Sequence, residues 1–101
     1  MKFKLKSNSL EVDAFQYDGD FMNSEGEYYV PQWAVRAFKW GKLFFGTYCG
    51  VPAELFVKGY NHSHVDVDEY VIIADDDEIY HCNPKLFRKL FEKASESENG
   101  D

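Results

Sequence analysis

The chain has 101 residues, 45% of them hydrophobic, and a formal net charge of −7. That length fits one domain with one core, and no stretch approaches the roughly 20 apolar residues that a membrane span needs. Lys2, Lys4 and Lys6 are followed by Ser7-Asn8-Ser9 rather than by an apolar run, so no signal peptide is read, and Cys49 and Cys82 are expected as reduced thiols in a cytoplasm.

Residues 11–17, EVDAFQY, alternate as a half-buried strand does, and Asp18-Gly19-Asp20 ends the run. Residues 20–29 are polar and irregular, and read as a loop. Pro31 opens a short helix to about Trp40, with Trp33, Ala34, Ala37 and Phe38 on one face and Trp40 one turn beyond Ala37. Gly41 suits the left-handed cap that closes a helix. The aromatic run from Lys42 to Tyr48 is a strand, broken by Cys49-Gly50-Val51-Pro52.

Residues 55–57 and 65–67 are expected as two strands around a turn at Gly59-Tyr60-Asn61. The apolar run Tyr70 to Ala74 belongs in the middle of a sheet, covered on both faces. Asp75-Asp76-Asp77 makes a hairpin turn, and Glu78 to Cys82 returns antiparallel. Asn83 is a good N-cap and Pro84 a good first helical residue. The helix they open runs to about Ala94, with Leu86, Phe87, Leu90 and Phe91 as its apolar stripe. Residues 95–101 form a disordered acidic tail, leaving a single α+β domain over 1–94. Its expected architecture is a mostly antiparallel sheet of five or six strands with two helices packed on it.

The stretch "VDVDEYVIIADDDEIYHCNPKLFRKLFEKA" resembles the C-terminal half of a family of small uncharacterised bacteriophage proteins. That half runs through a strand, a Gly-Asp-Tyr turn, an apolar strand, a hairpin, then Glu-Phe-Tyr-Pro-Cys-Lys-Pro and a helix. Tyr70 matches the turn tyrosine, Val71-Ile72-Ile73 the apolar strand, and Cys82 with Pro84 the Cys-x-Pro. "EVDAFQYDGD" is similar to the family's first strand. Asp68 replaces the turn glycine, and His81 the proline before the cysteine. The resemblance implies a phage origin, host cytoplasm and an accessory role, and brings no activity or catalytic residue.

The charges are unevenly placed. No Lys or Arg lies between Lys6 and Arg36, or between Lys58 and Lys85. The second interval holds Asp66, Asp68, Glu69, Asp75, Asp76, Asp77 and Glu78, with Glu11 and Asp13 expected on an adjacent strand. Such a surface repels nucleic acid and membranes and attracts a basic protein, although solubility alone also accounts for it. Phe44 and Phe45 point to opposite faces of a strand, so Phe44 and Tyr48 join the candidate binding surface with Asp66, Asp68, Glu69, Asp75, Asp76 and Asp77.

His81 and Cys82 likewise face opposite ways, which makes the pair a joint rather than a catalytic dyad, with Cys82 an inert core thiol. His62 and His64 share a face, but a turn is where exposed histidines are common, and no metal is expected. No phosphate loop, paired-carboxylate or Ser-His-Asp motif is present, so neither an enzyme nor a cofactor is expected, although a site assembled in space leaves no motif.

The function these residues imply is a non-enzymatic phage accessory protein that binds a host protein with a basic surface and inhibits a bacterial defence system. Membrane and direct nucleic-acid binding are not expected, and self-association stays open. The alternatives are a small protein sequestering a nucleotide-like signalling molecule, and a virion or assembly component.

Overall fold

The alternation of EVDAFQ carries through in three dimensions. In the computed structural model, which describes residues 2–59, 62–74 and 77–93, β2 (Glu11–Gln16) turns Val12 and Ala14 to one core and Phe15 toward another. Its antiparallel neighbours are β1 (Lys2–Leu5) on one side and β6 (Tyr70–Ile73) on the other. With β7 (Ile79–Cys82) and β8 (Phe91–Lys93) they form a five-stranded antiparallel sheet in the order β7-β6-β2-β1-β8. A second, three-stranded antiparallel sheet consists of β3 (Leu43–Tyr48), β4 (Val51–Val57) and β5 (Ser63–Val65). The α+β reading holds, with the strands among the described residues divided between two antiparallel sheets rather than gathered in one.

β6 behaves as its apolar run requires. Val71 belongs to the core that also holds Trp33, Leu43, Leu55 and Val65, whereas Ile72 belongs to the one with Phe3, Val12, Ala14 and Phe87. Both faces are therefore buried, and only a strand without a polar face fits there.

Helix α1 (Gln32–Lys39) buries Trp33, Ala34 and Ala37, as the spacing requires. Its end is a Schellman closure: Lys42 N–H donates to the Ala37 carbonyl at 2.8 Å and Gly41 N–H to that of Phe38 at 3.1 Å, with Gly41 at φ +83°. The closure also swings Trp40 off the buried face, and that side chain is 72% exposed.

Helix α2 (Pro84–Leu90) opens as expected, with the Asn83 side chain accepting the Leu86 N–H at 2.8 Å. It then stops short of the expected end. Phe91 takes extended backbone, φ −123° and ψ 156°, because residues 91–93 pair with β1. A sheet ladder replaces the last helical turn, and the apolar stripe is cut with it. Phe87 is buried, Phe91 half-buried, and Leu86 and Leu90 stay 42% and 41% exposed. Strand β1, Lys-Phe-Lys-Leu, was legible only as an alternation too short to stand out among the basic residues.

Two further expectations shift. β5 spans Ser63–Val65 rather than 65–67, because Val67 and Asp68 turn the chain toward β6. Glu11 and Asp13 do not extend an acidic stripe, since Lys4 and Lys2 stand opposite them on β1, with Lys2 Nζ 3.6 Å from the Asp13 carboxylate. Tyr60 and Asn61 of the expected turn, Asp75, Asp76, Ala94 and the expected tail 95–101 lie outside the described residues.

Cys49 and Cys82 are both free. Cys49 is exposed, at φ +51°, in the turn between β3 and β4. Cys82 packs against the core under α2, and burial, with the Glu69 charge second, pushes its thiol pKa up.

Two outcomes follow from this packing. The Phe87 ring lies 3.9 Å from that of Tyr70 and 4.8 Å from those of Phe3 and Phe91, centroid to centroid. Phe87→Ala should therefore cost about 3–5 kcal/mol in urea denaturation, and Leu90→Ala about 1 kcal/mol or less. Under iodoacetamide at mildly alkaline pH, peptide mapping should find Cys49 alkylated first, because only a deprotonated, reachable thiol reacts. Equal rates at the two positions would contradict the placement of Cys82.

Candidate functional site

The three-stranded sheet has one face on the core and one turned out. Its register sets Phe44 opposite Phe56 and Phe56 opposite His64, all on the outer face. Phe44 and Phe56 stack, with centroids 5.3 Å apart and planes 9° from parallel. His62 meets the edge of Phe44 at 5.1 Å. Between Gly46 and Tyr48 the β3–β4 register shifts, and Tyr48 lies flat on His64, 3.8 Å away and 1° from parallel. Gly46 lies beneath these rings, where a Cβ would make only ordinary contact, 3.4 Å from the Phe56 ring and 3.6 Å from that of Phe44.

His64 is held on every side. Its Nε2 is 2.8 Å from Glu54 Oε1 and its Nδ1 is 3.3 Å from Asp66 Oδ1. Both ring nitrogens are thus engaged with carboxylates. Among the described residues no group of three or more His, Cys, Asp and Glu is arranged to hold a metal ion.

A second polar constellation lies where the two sheets meet. In β7 the strand period turns Tyr80 outward and His81 to the side of Val71, its partner on β6. There His81 Nε2 is 2.6 Å from Ser63 Oγ on β5, and His81 Nδ1 is 2.6 Å from Glu69 Oε1, just before β6. The histidine and glutamate side chains are only 17% and 16% exposed, while Ser63 is an exposed residue. With a carboxylate at Nδ1, the neutral ring carries its proton there and donates it to Glu69. Nε2 is then the acceptor for the Ser63 hydroxyl proton.

The residues expected to form one acidic surface are divided among several tasks. Phe44 and Tyr48 do come together, with Phe56, His62 and His64. Asp66 borders that aromatic face beside His64. Asp68 is a turn residue at φ +80°, its N–H donating to the Tyr17 carbonyl at 2.7 Å and its carbonyl accepting from Gln16 Nε2 at 3.0 Å. Aspartate tolerates that left-handed backbone better than most residues, which is how the turn forms without glycine. Glu69 is turned inward onto His81 and is not a free surface charge. Asp77 is exposed at φ +63°, with its carbonyl accepting from Lys42 Nζ at 3.3 Å, and Asp75 and Asp76 lie outside the described residues. Sequence reasoning missed Phe56, Glu54 and Ser63, whose roles come from pairing across the sheet and carry no local pattern.

No helix among the described residues is long and apolar enough to cross a membrane. No family model matches the chain, and no solved structure matches it. The chain is similar to exosome complex component RRP4 of Saccharomyces cerevisiae, 32% identical over 68 residues, covering 63% of this chain and 19% of that protein. It is also similar to exosome complex component rrp4 of Schizosaccharomyces pombe, 30% identical over 107 aligned residues, covering 93% of this chain and 32% of that protein. The chain thus spans about a third or less of the length of these relatives. Both are eukaryotic complex components, which overturns the expectation of a phage accessory protein acting against a bacterial defence system. The alternatives of a signal-sequestering protein and a virion component fall with it. So does the partner expectation, a basic host protein with nucleic acid excluded.

Proposed function

We propose that the chain is a protein-interaction module of a multi-subunit assembly, docking through the outer face of β3-β4-β5. The observation that carries this reading is the ladder of Phe44, Phe56, His64 and Tyr48, in which Phe44 stacks on Phe56, Phe56 meets His64 edge-on, and His64 stacks on Tyr48. Tyr48 remains 44% exposed and His62 is exposed. Aromatic side chains already fixed in one arrangement lose little conformational freedom on binding, and they supply large contact areas. Glu54 and Asp66 border the ladder and suit the polar rim that surrounds such an apolar centre. The two yeast relatives, both named as components of an exosome complex, support an assembly role and suggest which assembly to try.

The test is reconstitution. The Schizosaccharomyces pombe exosome complex assembled without its rrp4 should retain the purified chain in size-exclusion chromatography. Tyr48→Ala with Phe56→Ala should weaken retention at least about tenfold, since anchor truncations commonly cost 2 kcal/mol or more. Circular dichroism would confirm that the double variant is folded. Absence of the chain from the complex, or retention indifferent to both substitutions, would refute the reading.

A further inference from the structure

The Ser63–His81–Glu69 relay takes no part in the docking face, because it lies on the opposite side of β5. We infer that it is a nucleophilic site, in which Ser63 accepts an acyl group from a small ester presented from solvent. Three features carry this. The atoms are in the order that activates a serine: hydroxyl, imidazole Nε2, imidazole Nδ1, carboxylate, with 2.6 Å at each of the two contacts. The tautomer that satisfies both contacts leaves the basic nitrogen aimed at the hydroxyl. The burial is also graded, with the imidazole and carboxylate mostly shielded and the serine on an exposed residue that a reagent can reach.

The pieces come from three elements, and pairing fixes two of them together. Val71 pairs with His81 and Tyr70 with Cys82, so Glu69, one residue before β6, is delivered beside the β7 histidine. Ser63 comes from the edge strand of the other sheet, with its side chain on the face that Val65 buries.

Ser63 Oγ forms a bond to the carbonyl carbon of the ester while its proton passes to His81 Nε2, and the imidazolium is held by the Glu69 carboxylate. The tetrahedral adduct collapses, the bond to the leaving alcohol breaks, and that oxygen takes the proton from Nε2. Water then attacks the acyl-serine with the same base, returning Ser63 and releasing the carboxylic acid.

A fluorophosphonate probe tests this on the intact chain, because Ser63 Oγ would displace fluoride at phosphorus and leave a stable adduct. Intact mass and peptide mapping should find one adduct, on Ser63, formed about 100-fold faster than on the exposed serines Ser7, Ser9 and Ser24 of the same molecules. That comparison needs no variant. Ser63→Ala should abolish labelling, and His81→Gln, shown to be folded by its thermal midpoint, should slow it by about 100-fold. Glu69→Gln should fall between His81→Gln and the native chain. p-Nitrophenyl acetate should release about one equivalent of nitrophenol in a burst, with acetylation of Ser63. A Ser63 that labels no faster than the other serines, or equally fast in folded His81→Gln, would reduce the relay to a hydrogen-bonded joint between the sheets and overturn the inference.

Discussion

One short strand, β6, carries the molecule. It lies between β2 and β7 and is buried on both faces, so two cores share a single layer of backbone. Val71 seals the core beneath α1 and the three-stranded sheet, and Ile72 seals the one beneath α2. Neither core is large, as the surface-to-volume ratio of a chain this size demands. Removing β6 would open both to water at once, which makes the two layers one cooperative unit rather than two weak ones. The five rings Phe15, Phe21, Phe38, Phe45 and Tyr17 knit the first core by edge contacts with centroids 5.4–6.0 Å apart, and help a thin core exclude water.

The same strand determines the chemistry at its neighbour. A strand period of two sends His81 and Cys82 in opposite directions from β7, one to the seam between the sheets and the other under α2. The separation keeps the thiol away from the imidazole and leaves the imidazole to Ser63 and Glu69. Both ring nitrogens of His81 are matched there, so burial at the seam leaves no polar atom of the imidazole without a partner.

What the sequence disclosed was local. Gly41 announced the closure of α1, Asn83-Pro84 the start of α2, and the unbroken run 71–73 a strand with no free face, because each signal acts within a few residues of itself. The opposed directions of His81 and Cys82 followed from strand geometry alone. What it withheld was long-range. The stretch from Phe91 to Lys93 has an excellent helical pattern, and only the unpaired edge of β1, at the other end of the chain, pulls it into a ladder. Glu69 reads as one more surface acid until β7 sets His81 beside it. Tyr48 and His64 meet across β4, beyond the point where the β3–β4 register slips. Composition likewise counts charges without showing that lysines of β1 stand opposite Glu11 and Asp13.

The pairing of β1 with β8 has a consequence in time. Phe3 meets Lys93 and Leu5 meets Phe91, so the strand synthesised first among the described elements waits for the one synthesised last. Contacts so distant along the chain are slow to close. Until they do, β1 offers an open edge on which a neighbouring polypeptide could build. Its own residues guard that interval: Lys2 and Lys4 place charge on the strand, and charge on a free edge discourages foreign pairing. The lysines that settle beside Asp13 and Glu92 in the finished fold are thus also suited to protecting the nascent one.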